Sequence, residues 1–137
     1  MGIIEYLRHE DFEFAGKHAV VIGRSEIVGR PMGRMLLDLD CTVTICHSKT
    51  KDLEKFVSMA DLIIVAVGKA EFLDCSNITV PVIDVGINFK DGKLVGDCYN
   101  CGDNVTPVPG GVGLLTRCAL LENVARSTEK QMGVRKN

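Results

Sequence analysis

A short apolar run, Ala19-Val20-Val21-Ile22, ends in Gly23 and is followed by Arg24, Ser25, a second glycine at Gly29 and then Pro31. These types in this order point to phosphate binding. A buried strand that stops at a glycine turn and restarts as a helix aims backbone N–H groups at an anion. The string departs from the usual G-x-G-x-x-G by keeping two glycines, so taken alone it is equally a plain strand-to-helix turn. A second cluster sharpens the reading. The next strand ends in Cys46-His47-Ser48-Lys49, without the carboxylate that normally holds a free ribose 2′-hydroxyl. A guanidinium from Arg24 together with the Ser48 hydroxyl suits a 2′-phosphate instead, which favours NADP over NAD.

Two further stretches belong to the same chemistry. Gly68 and Gly86-Ile87 close two more apolar runs, at strand ends where open α/β sheets bind ligands. Glycine there lets a dinucleotide lie against the backbone, and Ile87 is placed to pack on a nicotinamide ring. Thr106-Pro107-Val108-Pro109-Gly110-Gly111-Val112-Gly113 is a stiffened, glycine-exposed loop suited to close approach by a flat substrate. His9, His18 and His47 pair with no nearby acid, and no G-x-S-x-G string occurs, so no catalytic base is assigned.

The elements that must position these residues alternate. Gly2–His9 has helix spacing at Ile3, Ile4 and Leu7, and Asp11–Gly16 is a linker into the first strand. Met32, Met35, Leu36 and Leu39 continue the helix after Pro31, whose missing N–H suits a first turn. Thr42–Cys46, Asp61–Val67 and Val80–Val85 read as strands, Lys51–Met59 as a short helix, and Asp91-Gly92 as a hairpin turn within 88–96. Val105–Pro107 reads as a short last strand and Leu114–Gln131 as a closing helix. The fold class is α/β: a Rossmann-like, doubly wound parallel sheet in a single domain spanning 1–137, with 1–16 as lead-in helix and linker.

The bulk properties agree with one domain. At 137 residues and net charge −2 the chain gives no electrostatic case for a nucleic acid or a membrane surface. Of six cysteines, Cys41, Cys46 and Cys118 lie in or beside apolar runs. Cys98 and Cys101 form one CxxC without a second pair, so no metal site is assigned. Reduced thiols make the cytoplasm, or an organelle matrix, the expected compartment.

The strings GRSEIVGRPM (23–32), ADLIIVAVGK (60–69), VIDVGIN (82–88), DGKLVGD (91–97) and VTPVPGGVG (105–113) resemble the NADP-binding domain of the methylenetetrahydrofolate dehydrogenase/methenyltetrahydrofolate cyclohydrolase family. The likeness runs from Gly2 to about Gln131. It implies that Gly23, Arg24 and Ser25 bind the cofactor phosphates, with Arg24 and Ser48 (after His47) at the 2′-phosphate, and that Val28 and His47 belong to the cofactor site. It implies that Ala66, Val67, Gly68, Ile87 and Thr106 line the dinucleotide, and that Pro109, Gly110 and Gly113 edge a folate cleft. The family's folate-binding, lysine-bearing N-terminal domain is not among these residues, so the chain is expected to bind NADP and to be inactive alone. The alternative is a free-standing NADP-binding regulatory module or inactive paralogue. Residues 71–80 and 98–104 are shorter than the family's usual segments, and the second lacks most of a crossover helix, so one face of the sheet is expected to be thinly covered. An apolar first helix with nothing obvious to cover it makes a homodimer, or pairing with a full-length enzyme, the expected assembly.

Overall fold

The computed structural model of the chain describes residues 2–107. In order they form α1 (Gly2–His9), β1 (His18–Ile22), α2 (Gly29–Asp38), β2 (Thr42–Cys46), α3 (Leu53–Ser58), β3 (Leu62–Val65), β4 (Leu73–Asp74), β5 (Val82–Asp84), β6 (Asn88–Lys90), β7 (Lys93–Val95) and β8 (Cys98–Tyr99). The closing helix expected at Leu114–Gln131, Cys118 and the Pro109–Gly113 loop fall outside the described residues.

Four parallel strands make the central sheet in the order β2-β1-β3-β5. β1 is followed by α2 and β2 on one side, and β3 returns on the other side of β1. The strand order therefore reverses between β1 and β3, where open α/β sheets place their ligand crevice. β1 and β3 are buried on both faces, which explains their unbroken apolar runs.

Alternate residues of the strands feed two cores. Ala19, Val21, Leu62, Ile64 and Ile83 pack with Met32 and Leu36 of α2 and with Ile3, Ile4 and Leu7 of α1. Val20, Ile22, Ile63, Val65 and Val82 point the other way, toward Leu53, Phe56 and Val57 of α3. This places the lead-in helix in the core. Ile3, Ile4 and Leu7 are all buried, so the expected bare apolar face is covered by the chain's own sheet. A homodimer gains no support from that helix.

The second half is built with short elements. No helix joins β3 to β5: the chain crosses through β4, which pairs with β8 in a small parallel ladder that the sequence reading missed. A cavity of about 580 Å³ lies between α3 and this crossing, lined by Leu53, Val57, Ile78, Val80 and Tyr99 among others. The expected last strand reduces to one bridge, Val105 to Val82. Pro107 has no N–H with which to extend a ladder there. β6 and β7 form the hairpin turned by Asp91-Gly92, both at positive φ.

Candidate nucleotide-binding site

The carboxyl ends of β1, β2, β3 and β5 come together at one edge of the sheet, and they are held in two different ways. At β1 the device is a glycine turn. Gly23 has φ +126°, and a Cβ there would run into the backbone carbonyl of Ala66. A Cβ on Gly29 would strike the carbonyl of Gly23. The two glycines thus let the strand end, the helix start and the neighbouring strand end approach to backbone contact. The amide of Gly23 donates to Cys46 at 2.8 Å, and that of Ala66 to Ile22 at 2.8 Å, so the ladder holds to its last residue.

Ser25 organises the turn. Its hydroxyl oxygen accepts from the amides of Val28, at 3.1 Å, and Gly29, at 3.4 Å, while its carbonyl accepts from Arg30. The first helical amides are therefore occupied, and Pro31 has none to offer. The amides of Arg24, Ser25, Glu26 and Ile27 donate to no group among the described residues. Anion-binding capacity at this end thus lies in the 24–27 turn rather than in the first turn of α2. The Ser25 hydroxyl, used as an acceptor, keeps its own proton to donate.

Arg24 and Ser48 are exposed, and each lies two residues past a matched pair, Ile22 opposite Cys46. The turn that carries Ser48 is stiffened by His47, whose amide donates to the Thr50 hydroxyl at 2.8 Å and whose Nδ1 accepts from the Lys49 amide at 3.1 Å. Accepting at Nδ1 leaves the neutral ring's proton on Nε2.

At β3 and β5 the device is a pair of buried carboxylates. Asp97 has no exposed surface and takes four hydrogen bonds. The amides of Val67 and Gly68 donate to one oxygen at 2.7 and 2.9 Å, and the Lys69 amide and Asn88 side-chain amide to the other, both at 2.9 Å. Asp84 accepts from the amides of Gly86, Asp97 and Cys98 at 3.0 to 3.1 Å. Space for each carboxylate comes from a glycine: a Cβ on Gly86 would collide with Asp97, and one on Gly96 with Asp84.

This corrects one sequence expectation. The vacancy at Gly86 is filled by a side chain of the protein itself, whereas Gly68, at φ +76°, faces open space. Thr106 is buried, and its hydroxyl accepts from the Asp84 amide at 2.9 Å, so it ties residues 105–107 to β5. Val67 and Ile87 remain exposed at the edge. Ala66 is half-buried beside them. Pro109, Gly110 and Gly113 lie beyond the described residues. The sequence reading gave Asp84, Asn88 and Asp97 no role. The available signal was an acid beside or two residues from a glycine, in VIDVGIN and LVGD.

A glycine-turned βαβ unit at a strand-order reversal, with open amides in the turn, defines a nucleotide-binding α/β domain. Residues 1–132 match the family model of the tetrahydrofolate dehydrogenase/cyclohydrolase NAD(P)-binding domain, and the chain belongs to that family. It is 46% identical over 136 residues to the bifunctional protein FolD of Halalkalibacterium halodurans, covering 94% of this chain and 49% of that protein. It is 49% identical over 137 residues to the FolD of Variovorax paradoxus, covering 94% and 48%. The bifunctional FolD structure from Campylobacter jejuni superposes with TM-score 0.88 at 45% identity, covering 95% of this chain and 49% of that one. The Trypanosoma brucei dehydrogenase-cyclohydrolase, solved with NADP cofactor and an inhibitor, gives TM-score 0.83 at 35% identity, covering 98% and 50%. The chain spans about half the length of the relatives it matches.

Proposed function

We propose that this chain is the cofactor-holding half of a 5,10-methylenetetrahydrofolate dehydrogenase/5,10-methenyltetrahydrofolate cyclohydrolase and that it binds NADP. The observation that carries the reading is the Gly23–Gly29 turn, with four open amides at the strand-order reversal, in a chain that matches the NAD(P)-binding family along residues 1–132. The turn amides and the Ser25 hydroxyl take the cofactor phosphates, and Val28 packs beside them. Arg24, Ser48 and the turn built on His47 take the 2′-phosphate, and β2 ends without a carboxylate, in Cys46-His47-Ser48-Lys49. Ala66, Val67 and Gly68 give the dinucleotide a backbone floor, and Ile87 offers an apolar side chain to the nicotinamide.

The cofactor, when bound, supplies a hydride acceptor for the methylene carbon of the folate. This half of the relatives' length positions that acceptor, and the folate's proton chemistry is assigned to the other half. The Pro109–Gly113 loop is the expected folate-facing edge.

Titration of the purified chain with NADP and with NAD, followed by calorimetry, tests the reading. Preference for NADP by at least tenfold, about 1.4 kcal/mol, is expected. Arg24→Ala is expected to erase that preference while leaving NAD binding unchanged. Equal affinity for both nucleotides in the unsubstituted chain would overturn the 2′-phosphate assignment. Dehydrogenase turnover by these 137 residues alone would overturn the division of labour.

A further inference from the structure

Asp84 and Asp97 are the buried charged side chains among the described residues, at 3% and 0% exposure. Neither is paired with a cation there: the salt bridges of the described residues join Arg30 to Glu26, Arg34 to Asp38 and Lys90 to Glu71. Asp97 accepts two N–H bonds on each oxygen and Asp84 accepts three in all, the bonding pattern of ionised carboxylates. N–H dipoles stabilise such an anion without removing its charge, so two negative charges lie in the interior beneath the β3–β5 end of the site.

Asp97 is the one that borders the open edge. Its oxygens hold the amides of Val67 and Gly68, and its carboxylate fills the space where a Cβ on Gly86 would stand, next to Ile87. Val67, Gly68 and Ile87 are exposed. Lys69, whose amide also donates to Asp97, carries its ammonium on an exposed side chain, where solvent and salt screen it. Asp84 stands one step behind, accepting from the Asp97 amide.

We propose that Asp97 makes the nicotinamide end of the site selective for charge, favouring the cationic oxidised ring over the neutral reduced one. The inference rests on the NADP reading above, which sets the nicotinamide against Ile87. Accepting a hydride brings the ring two electrons and one proton and leaves it uncharged. The attraction of the carboxylate is therefore present before the transfer and gone after it. Packing on Ile87 is open to both forms, so the difference between them reports the charge. For a unit charge this close, acting through protein rather than water, the difference is expected to be about tenfold in affinity. For a two-electron couple, tenfold tighter binding of the oxidised form lowers the bound potential by about 30 mV. Asp97 thus helps hold the cofactor while it can accept a hydride and eases its release once reduced.

Calorimetric titration of the purified full chain with NADP, NADPH and the NADP analogue that carries benzamide in place of nicotinamide tests the proposal. The analogue keeps the phosphates, the riboses and a flat ring but lacks the ring's charge. NADP is expected to bind the unsubstituted chain about tenfold tighter than the analogue. Asp97→Asn should shift the ratio of NADP to NADPH affinity about tenfold toward NADPH. Asn88→Ala, which removes a hydrogen bond to Asp97 but no charge, should leave that ratio unchanged. A merely structural Asp97 would weaken NADP and NADPH alike when substituted, and a fixed ratio would overturn the proposal while leaving the NADP reading intact. Equal affinity of the unsubstituted chain for NADP and the benzamide analogue would overturn it as well, with no variant needing to fold. Failure of the chain to bind any of the three would overturn both the proposal and the NADP reading beneath it.

Discussion

The two ends of the site reach the same result, a fixed cradle of backbone, by opposite means. Around β1 and β2 the cradle is made by what is missing: two glycines without side chains and a proline without an N–H. Around β3 and β5 it is made by what is buried, two carboxylates that take seven N–H hydrogen bonds between them. The first end keeps the amides of 24–27 open for an anion. At the second, the amides of 67–69 are already satisfied by Asp97, which brings negative charge of its own. On the proposed reading the phosphates lie at the β1 end, and the β3–β5 end suits the uncharged or cationic parts of a dinucleotide.

The contrast can be broken most sharply at Asp97. Replacing it with alanine leaves the amides of 67–69 and the Asn88 side chain without their buried acceptor, and a loss of about 3–5 kcal/mol is expected in urea unfolding. Nucleotide binding should fall with it, because the 67–69 floor is released. Gly23→Ala should come next, at about 2–3 kcal/mol, since the new methyl meets the Ala66 carbonyl at a φ that only glycine adopts freely. Its refolded fraction is expected to bind neither NADP nor NAD. Ser48→Ala should be smallest, within about 0.5 kcal/mol in stability because the residue is exposed. Its expected effect is a several-fold loss of NADP affinity with NAD affinity unchanged, read by paired titrations. A stability loss at Ser48 as large as at Asp97 would show that both ends depend on buried polar contacts.

The same contrast explains what was legible. The β1 end was read closely because its logic is local: Ile22, Gly23, Gly29 and Pro31 lie within ten residues, and each acts through backbone geometry that its type dictates. The Thr42–Cys46 strand and the Asp91-Gly92 hairpin were legible for the same reason. The β3–β5 end was read only as a row of glycines, and for Gly86 the wrong occupant was assigned. Asp97 acts on amides 28 to 30 residues away, a pairing that no local pattern announces. The lead-in helix shows the other failure. Its amphipathic spacing was visible, but which surface covers it was not.

The sequence by itself determined the types of the elements from α1 to β3, the parallel sheet and the glycine turn, because apolar period, chain stiffness and allowed φ are properties of short stretches. Only the tertiary structure decided that α1 belongs to the core and that Asp84 and Asp97 are struts. It alone paired β4 with β8 across the crossing. Each of those outcomes depends on which distant surface fills a given space. That is fixed by packing and by the need to satisfy every buried polar group, and so it emerges only when the whole sheet is assembled.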